Sequence, residues 1–334
     1  MQRSEVSLLE EQPAPSCHAI RPAGRFIPAS AAMREILALI RKIAGTDVPV
    51  LIRGEMGAGK QAVAREIHRR SRRAAEPFVR VACGALREPE LEERLFGPPC
   101  NAFQAAEGRR PGLLAASQGG TLFLDGVAEL PFWAQVKLLD ALQPGGDCRP
   151  RDGGEPACDA RVIASSRCDL QTAMAKNRFY SGLYYHLDAV RIDVPALRHR
   201  REDIRALAEY FLAAAGVALG SAGHDLPRHF SEEAWQTLLQ YEWPGNVLQL
   251  AAVVAHAAML ADGPEIGQAC VAGLLERVQR HPAAETISVS LAGGLKQMEL
   301  ALVREVICRC RGNKAAAARA LKLHRRTLYR LLEE

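Results

Sequence analysis

The sequence predicts an α/β fold in which a mostly parallel sheet, covered by helices on both faces, is extended by a helical lid and followed by a small all-α helix-turn-helix unit. Three observations predict it. Between residues 31 and 200, short apolar runs ending in Gly, Cys or Asp alternate with segments of helical apolar spacing, and strands alternating with helices imply a parallel, doubly covered sheet. The stretch GEMGAGKQ (54–61) stands between one such run and a helix. After Arg201 the strand-like runs give way to successive helical patterns, and the last forty residues form a separate helical pattern.

In chain order, residues 1–24 hold Pro13, Pro15 and Pro22 without periodicity and read as a loose tail. Met33, Ile36, Leu37, Ile40 and Ile43 recur at helical spacing, and VPVLIRG (48–54) then reads as a buried strand. QAVAREIHRRS after Lys60 is helical, with further strands at FVRVAC (78–83), TLFLD (121–125) and ARVIAS (160–165). REDIRALAEYFLAAAG, SEEAWQTLLQY and GNVLQLAAVVAHAAML read as lid helices. RVQRHPAAETISVSLAG (277–293) loses periodicity, carries Pro282 and reads as a linker.

At 334 residues, 48% of them hydrophobic, the chain can bury a sizeable core in about two domains. No apolar run reaches the roughly 18 residues of a membrane helix, and MQRSEVSLLEEQ lacks the apolar core of a secretory signal. The expectation is a cytoplasmic protein with no membrane partner. The nine cysteines are scattered, with no CxxC pair and no His at zinc-finger spacing, so no metal site is expected from them. Cys308 and Cys310 sit two apart in a helical pattern and point to different sides. Charge is concentrated at one end: ten Lys or Arg stand against four Glu between Lys296 and Glu334, in a chain of net charge +5. That asymmetry suits a basic module for a polyanion.

GEMGAGKQ fits G-x-x-x-x-G-K in the strand-to-helix context that the motif requires. Gly54, Glu55, Gly57, Ala58 and Gly59 form a loop whose backbone N–H groups can close on phosphate oxygens, and Lys60 supplies a cation for the β- and γ-phosphates. Gln61 lacks the hydroxyl that usually ligates magnesium, which leaves Asp125 to hold Mg2+ largely through water. The expected cofactor is ATP or ADP. Asp125 ends an apolar run as a nucleotide-hydrolysing strand would, yet it is followed by Gly126, which has no side chain to activate water.

GNKAAAARALKLHRRTLYRLLEE (312–334) is the second strong signal. Asn313 is a good N-cap for an alanine-rich helix, LKL makes a turn, and a second helix starts near His324. With Leu328, Leu331 and Leu332 facing inward, Arg325, Arg326, Thr327, Tyr329 and Arg330 are left for base edges and phosphates of a major groove. Such a unit acts as a dimer on a palindromic double-stranded site, and LKQMELALVREVICRC (295–310) has the apolar spacing for the dimer contact.

From about Gly24 onward the chain resembles bacterial enhancer-binding proteins, the AAA+ activators of sigma-54 RNA polymerase that end in a Fis-type helix-turn-helix. The resemblance rests on VLIRGEMGAGK, PFVRVACGAL, LEERLFG, RRPGLL, GGTLFLD, ELPFWAQVKLLDALQ, LYYHLDAVRIDVPALRHRREDI, YEWPGNV and the C-terminal stretch. It implies an AAA+ P-loop parallel sheet at 25–200, its helical lid at 201–276, the linker at 277–293 and a DNA-binding unit at 294–334. It implies RNA polymerase holoenzyme as a partner, and assembly with itself or with paralogous activators. The family usually carries a sensory domain in front of the sheet; only a short tail stands there, so the expected input is a partner or nucleotide.

Against that family the departures cluster. A Glu follows the Asp of the family's strand, where this chain has Gly126. The sensor motif A-T-N is SSR (165–167), which puts Arg167 in place of the Asn. The two trans-acting arginines of F-R-E-D-L-Y-Y-R-L are Tyr180 and His186, and the lid arginine of W-P-G-N-V-R-E-L is Leu248. The sigma-54-contacting loop G-A-F-T-G-A is Asn101, Ala102, Phe103, Gln104, Ala105 and Ala106. A positioned general base contributes about 10² to 10⁴ in rate and an arginine finger about 10³ to 10⁵, so losing even one cripples turnover. The sequence therefore reads as a DNA-binding regulator that binds nucleotide and hydrolyses it poorly or not at all. Two other readings stay open: an active ATPase that remodels sigma-54 polymerase, and a non-catalytic subunit in a hetero-oligomer of active paralogues.

Overall fold

The computed structural model describes residues 26–85, 88–97, 112–143, 159–219, 229–261 and 263–280, with isolated positions between 300 and 323. The tail 1–24, the loop Asn101–Ala106 and the helix surface from His324 to Arg330 lie outside the described residues. The chain divides into two units, Met1–Leu275 and Glu276–Glu334.

The first unit opens with α1 (Ala31–Ile43), β1 (Val50–Arg53), α2 (Lys60–Arg69), β2 (Phe78–Ala82), α3 (Glu88–Phe96), α4 (Leu113–Ala116) and β3 (Thr121–Asp125). It continues with α5 (Phe132–Leu142), β4 (Arg161–Ser166), α6 (Leu170–Ala175), α7 (Ser181–Leu187) and β5 (Val190–Asp193). The five strands form one parallel sheet in the order β2-β3-β4-β1-β5. Successive side chains of a strand point to opposite faces, and both faces are apolar. Leu51, Leu122, Leu124, Val162 and Ala164 meet Leu138 and Leu183 on one side. Val50, Ile52, Phe123, Ile163 and Ile192 meet Ile40, Val63 and Ile67 on the other. The four strands expected from the sequence are present. β5 was not expected from periodicity, because Arg191 and Asp193 break its short apolar run.

The lid comprises α8 (Glu202–Leu219), β6 (His229–Phe230), α9 (Glu232–Gln240), α10 (Asn246–Leu260), β7 (Glu265–Ile266) and α11 (Gln268–Arg280). Its core is a separate cluster around Trp235, Trp243, Leu250, Val254 and Leu238. The two-residue parallel pair of β6 and β7 lies where only helices were expected; it is too short to show a period. α11 runs to Arg280, into the segment read as linker, and 281–293 lie outside the described residues. Among the described residues no helix is long and apolar enough to cross a membrane. In the second unit Val303 and Val306 are buried, so part of the face read as a dimer contact is already covered within one chain.

Polar groups fix the ends of α1. Ser30 caps its N-terminus, accepting from the Met33 N–H at 3.3 Å. At the other end the fully buried Arg161 donates to the carbonyls of Ile43 and Ala44, each at 3.0 Å. A guanidinium at a helix C-terminus satisfies orphan carbonyls and opposes the helix dipole. Arg161→Met keeps most of the bulk but strands those carbonyls in the core. We expect a loss of about 2 kcal/mol, read as a lower urea midpoint with an unchanged m-value.

Candidate functional site

Ligands of open α/β sheets bind in the crevice outside the carboxyl ends of the strands, and the expected site residues meet there. The loop Gly54–Gly59 follows β1, Asp125 ends β3, and β4, which lies between them in the sheet, brings Ser165 and Arg167 alongside.

The loop is held from outside through its carbonyls. Lys60 Nζ donates to Gly54 O at 2.8 Å and Glu55 O at 2.7 Å. Asn246 Nδ2 donates to Met56 O at 3.0 Å, the Val247 N–H to Gly57 O at 3.0 Å, and Arg200 Nη2 to Ala58 O at 2.5 Å. Gly57 is required: its φ is +74°, and a Cβ there would lie 2.3 Å from Gly245 O. With these carbonyls engaged, the loop's remaining N–H groups are available to an anion at the N-terminus of α2.

Three of those donors belong to the lid or to the turn leading into it. Asn246, fully buried with φ +52°, also donates to Glu55 Oε2 at 3.1 Å and accepts from the Leu197 N–H at 2.8 Å. Arg198 forks onto Glu55 at 2.6 and 2.9 Å. The Arg198 hydrogen bonds, then Asn246, lower the Glu55 pKa to about 2. Leu248 is exposed, and its Cβ lies against the loop beside Gly57. The position where the family has an arginine thus does face the loop, with an apolar side chain.

Charge around the strand ends is paired internally. Asp125 Oδ1 accepts from Ser165 Oγ at 2.8 Å, and that hydroxyl accepts from the Gly126 N–H at 3.0 Å. Asp125 Oδ2 accepts from Arg80 Nη2 at 2.6 Å and Nε at 3.1 Å. Glu129 pairs with Arg167 at 2.9 Å, and its carboxylate fills the space a Cβ on Gly84 would need. Burial pulls the Lys60 ammonium below the usual lysine value, Asp125 pulls it back up and Arg167 lowers it again, which places these charges around one centre. Gly126 has φ +81°, a left-handed backbone, and a Cβ there would lie 3.3 Å from Glu129 Cδ.

The two positions on α7 are turned to other uses. Tyr180 caps α7, its N–H donates to Gln135 Oε1 at 2.7 Å, and its ring meets Phe132 edge-on at 5.8 Å. Burial lowers the His186 pKa from the usual histidine value, which disfavours its charged form.

Sequence reading missed Arg80, Arg198, Arg200 and Asn246. Arg80 had a usable signal: alternation puts it on the same face of β2 as Ala82, the register partner of Asp125. The other three had none, because their partners, the Glu55 carboxylate and the Met56 and Ala58 carbonyls, lie some 140 to 190 positions away.

Three family models match the chain: the sigma-54 interaction domain over residues 26–193, the AAA+ ATPase lid domain over 198–286, and the Fis family of bacterial regulatory proteins over 294–334. The chain is 37% identical over 312 residues to the transcriptional regulatory protein GlrR of Escherichia coli K12, covering 92% of this chain and 67% of that one. It is 37% identical over 310 residues to ZraR of Klebsiella oxytoca, covering 92% and 68%. Among solved structures it is similar to NtrX from Brucella abortus in complex with ADP, with a TM-score of 0.64, 29% identity, and coverage of 93% of this chain and 68% of that one. The ATP complex of the same protein gives 0.63 at 30% identity, covering 92% and 68%.

The lid contacts generate two expectations. Asn246→Ala strands buried donors and acceptors and puts alanine on a left-handed backbone, so we expect about 2–4 kcal/mol of lost stability. Glu55→Gln should lower the denaturation midpoint at pH 6. Because the folded pKa is depressed, the stability that the Glu55 charge contributes is complete above about pH 4.5 and disappears as pH falls toward 2. Urea midpoints of wild type and Glu55→Gln should therefore converge over that window; a gap that stays constant with pH would contradict the assignment.

Proposed function

The chain belongs to the sigma-54-interacting, Fis-type family of bacterial transcriptional regulators, and we propose that within it the AAA+ module binds ATP or ADP without efficient hydrolysis. The protein is a DNA-binding transcriptional regulator; in this reading nucleotide is a ligand that sets the conformation of the module, and its turnover is not used. One observation carries the proposal: Glu129, the carboxylate against Gly126, is committed to Arg167. Neither position offers a free base for water.

Several features support it. The loop from Gly54 to Lys60 is preorganised for a polyphosphate, and the relative NtrX was crystallised with ADP and with ATP. Tyr180 carries no cationic group and packs on Phe132 and Gln135, and burial disfavours the charged form of His186, so neither position matches the permanent charge of an arginine. Preorganised positive charge at the transferring phosphoryl group is a large term in such chemistry. Of the loop Asn101–Ala106, only Ala102, Phe103 and Ala106 keep the family pattern. The protein on its own is therefore proposed not to open sigma-54 promoters. It acts at its DNA site in the bacterial cytoplasm through His324–Arg330, together with polymerase or a partner activator.

Two experiments test this. In the first, phosphate release by purified wild type should not exceed that of Lys60→Ala, which loses nucleotide affinity by more than about tenfold. Gly126→Glu should add nothing, because the side chain would enter a left-handed backbone against a committed Glu129. Gly126→Glu combined with Tyr180→Arg, His186→Arg and Arg167→Asn restores the family set. Turnover by wild type clearly above Lys60→Ala would overturn the reading. In the second, removing residues 295–334 should abolish a specific footprint, and Arg325→Ala or Arg326→Ala should each weaken it by about 1–3 kcal/mol. An unchanged footprint from the truncated protein would refute the assignment.

A further inference from the structure

A family nucleotide site implies a magnesium ion between the phosphates and the Asp at the end of β3. The donors present do not fit one. Mg2+ takes near-octahedral hard oxygen ligands and is held through one or two carboxylates plus phosphate and water. Here Asp125, the one carboxylate in place, has both oxygens engaged, Oδ1 by Ser165 and Oδ2 by the Arg80 guanidinium. Glu129 is paired with Arg167 and wedged against Gly84. Position 61 is Gln, which supplies no hydroxyl ligand, although the family that the sequence resembles often has Glu there rather than Ser or Thr. A divalent cation at Asp125 would have to displace a charge-assisted hydrogen bond and stand beside a guanidinium.

We infer that this site binds nucleotide without a divalent cation, Arg80 taking the electrostatic place of the metal at Asp125. This rests on the nucleotide-binding reading above. Lys60, Arg80 and Arg167 stand around Asp125 and Glu129, so each of these two carboxylates already has a cation beside it before any metal is added. Arginine suits the role. Its fork of N–H donors can hold a carboxylate with one edge and a phosphate oxygen with another, and it stays charged at every accessible pH. Arg80 is half-exposed and Asp125 one-quarter exposed, so the guanidinium is open on its solvent side. The arrangement comes from strand register: Arg80 lies two residues before Ala82, which pairs with Asp125 on the neighbouring strand.

The test is calorimetric titration of the full chain with ADP and with a non-hydrolysable ATP analogue, once in EDTA and once in excess MgCl2. For wild type the two affinities should agree within about threefold, because the positive charge is built into the protein. In Arg80→Ala, Asp125 is released: affinity in EDTA should fall by about tenfold or more, and Mg2+ should restore most of it. Arg80→Lys keeps the charge and should remain largely insensitive to chelation. Thermal melts of the variants without ligand check that the fold is intact, as expected for a half-exposed side chain. Wild-type binding that collapses in EDTA and returns with Mg2+ would overturn the inference while leaving nucleotide binding standing. Absence of binding in both conditions would overturn the reading beneath it and the inference together.

Discussion

The loop between β1 and α2 keeps its shape because five consecutive carbonyls, Gly54 to Ala58, each have a donor that pulls outward. Two of those donors come from the single side chain of Lys60. The others come from Asn246, Val247 and Arg200, so the curvature of the loop is set largely by residues of the lid and its approach. The dependence runs the other way as well. Asn246 and the fully buried Trp243 both adopt left-handed backbones, which cost roughly 1–2 kcal/mol each. Such backbones persist where packing and hydrogen bonds over-determine them, as the Asn246 contacts to Met56, Glu55 and Leu197 do.

The same network reaches α1. Asp203 at the start of α8 accepts from the Ser30 N–H at 2.6 Å and the Ser30 hydroxyl at 3.0 Å, and lies 3.5 Å from Arg200. Cap, lid and loop are therefore joined through two buried side chains. A ligand that pulls on the loop acts directly on the lid, since the groups that shape one are the groups that anchor the other. The contacts themselves thus provide a physical route from the loop to the lid.

Much of the sheet was legible from sequence because a parallel sheet buried on both faces leaves near-continuous apolar runs, such as TLFLD and VLIR, that end at the ligand crevice. The loop was legible because glycine and lysine at fixed offsets have few other uses. What could not be read was pairing at a distance. That Arg167 turns to Glu129, that Tyr180 packs on Phe132 and that Asn246 reaches back to Met56 depend on tertiary placement, which no local period encodes. The departures from the family were visible as letters, while their compensation inside the fold was not.

The backbone at Gly126 also limits what a side chain at that position can do. With φ at +81° and the Glu129 carboxylate paired to Arg167, any residue larger than glycine would stand on a left-handed backbone with its Cβ 3.3 Å from Glu129 Cδ. A single substitution at 126 therefore disturbs its neighbour as well as adding its own group.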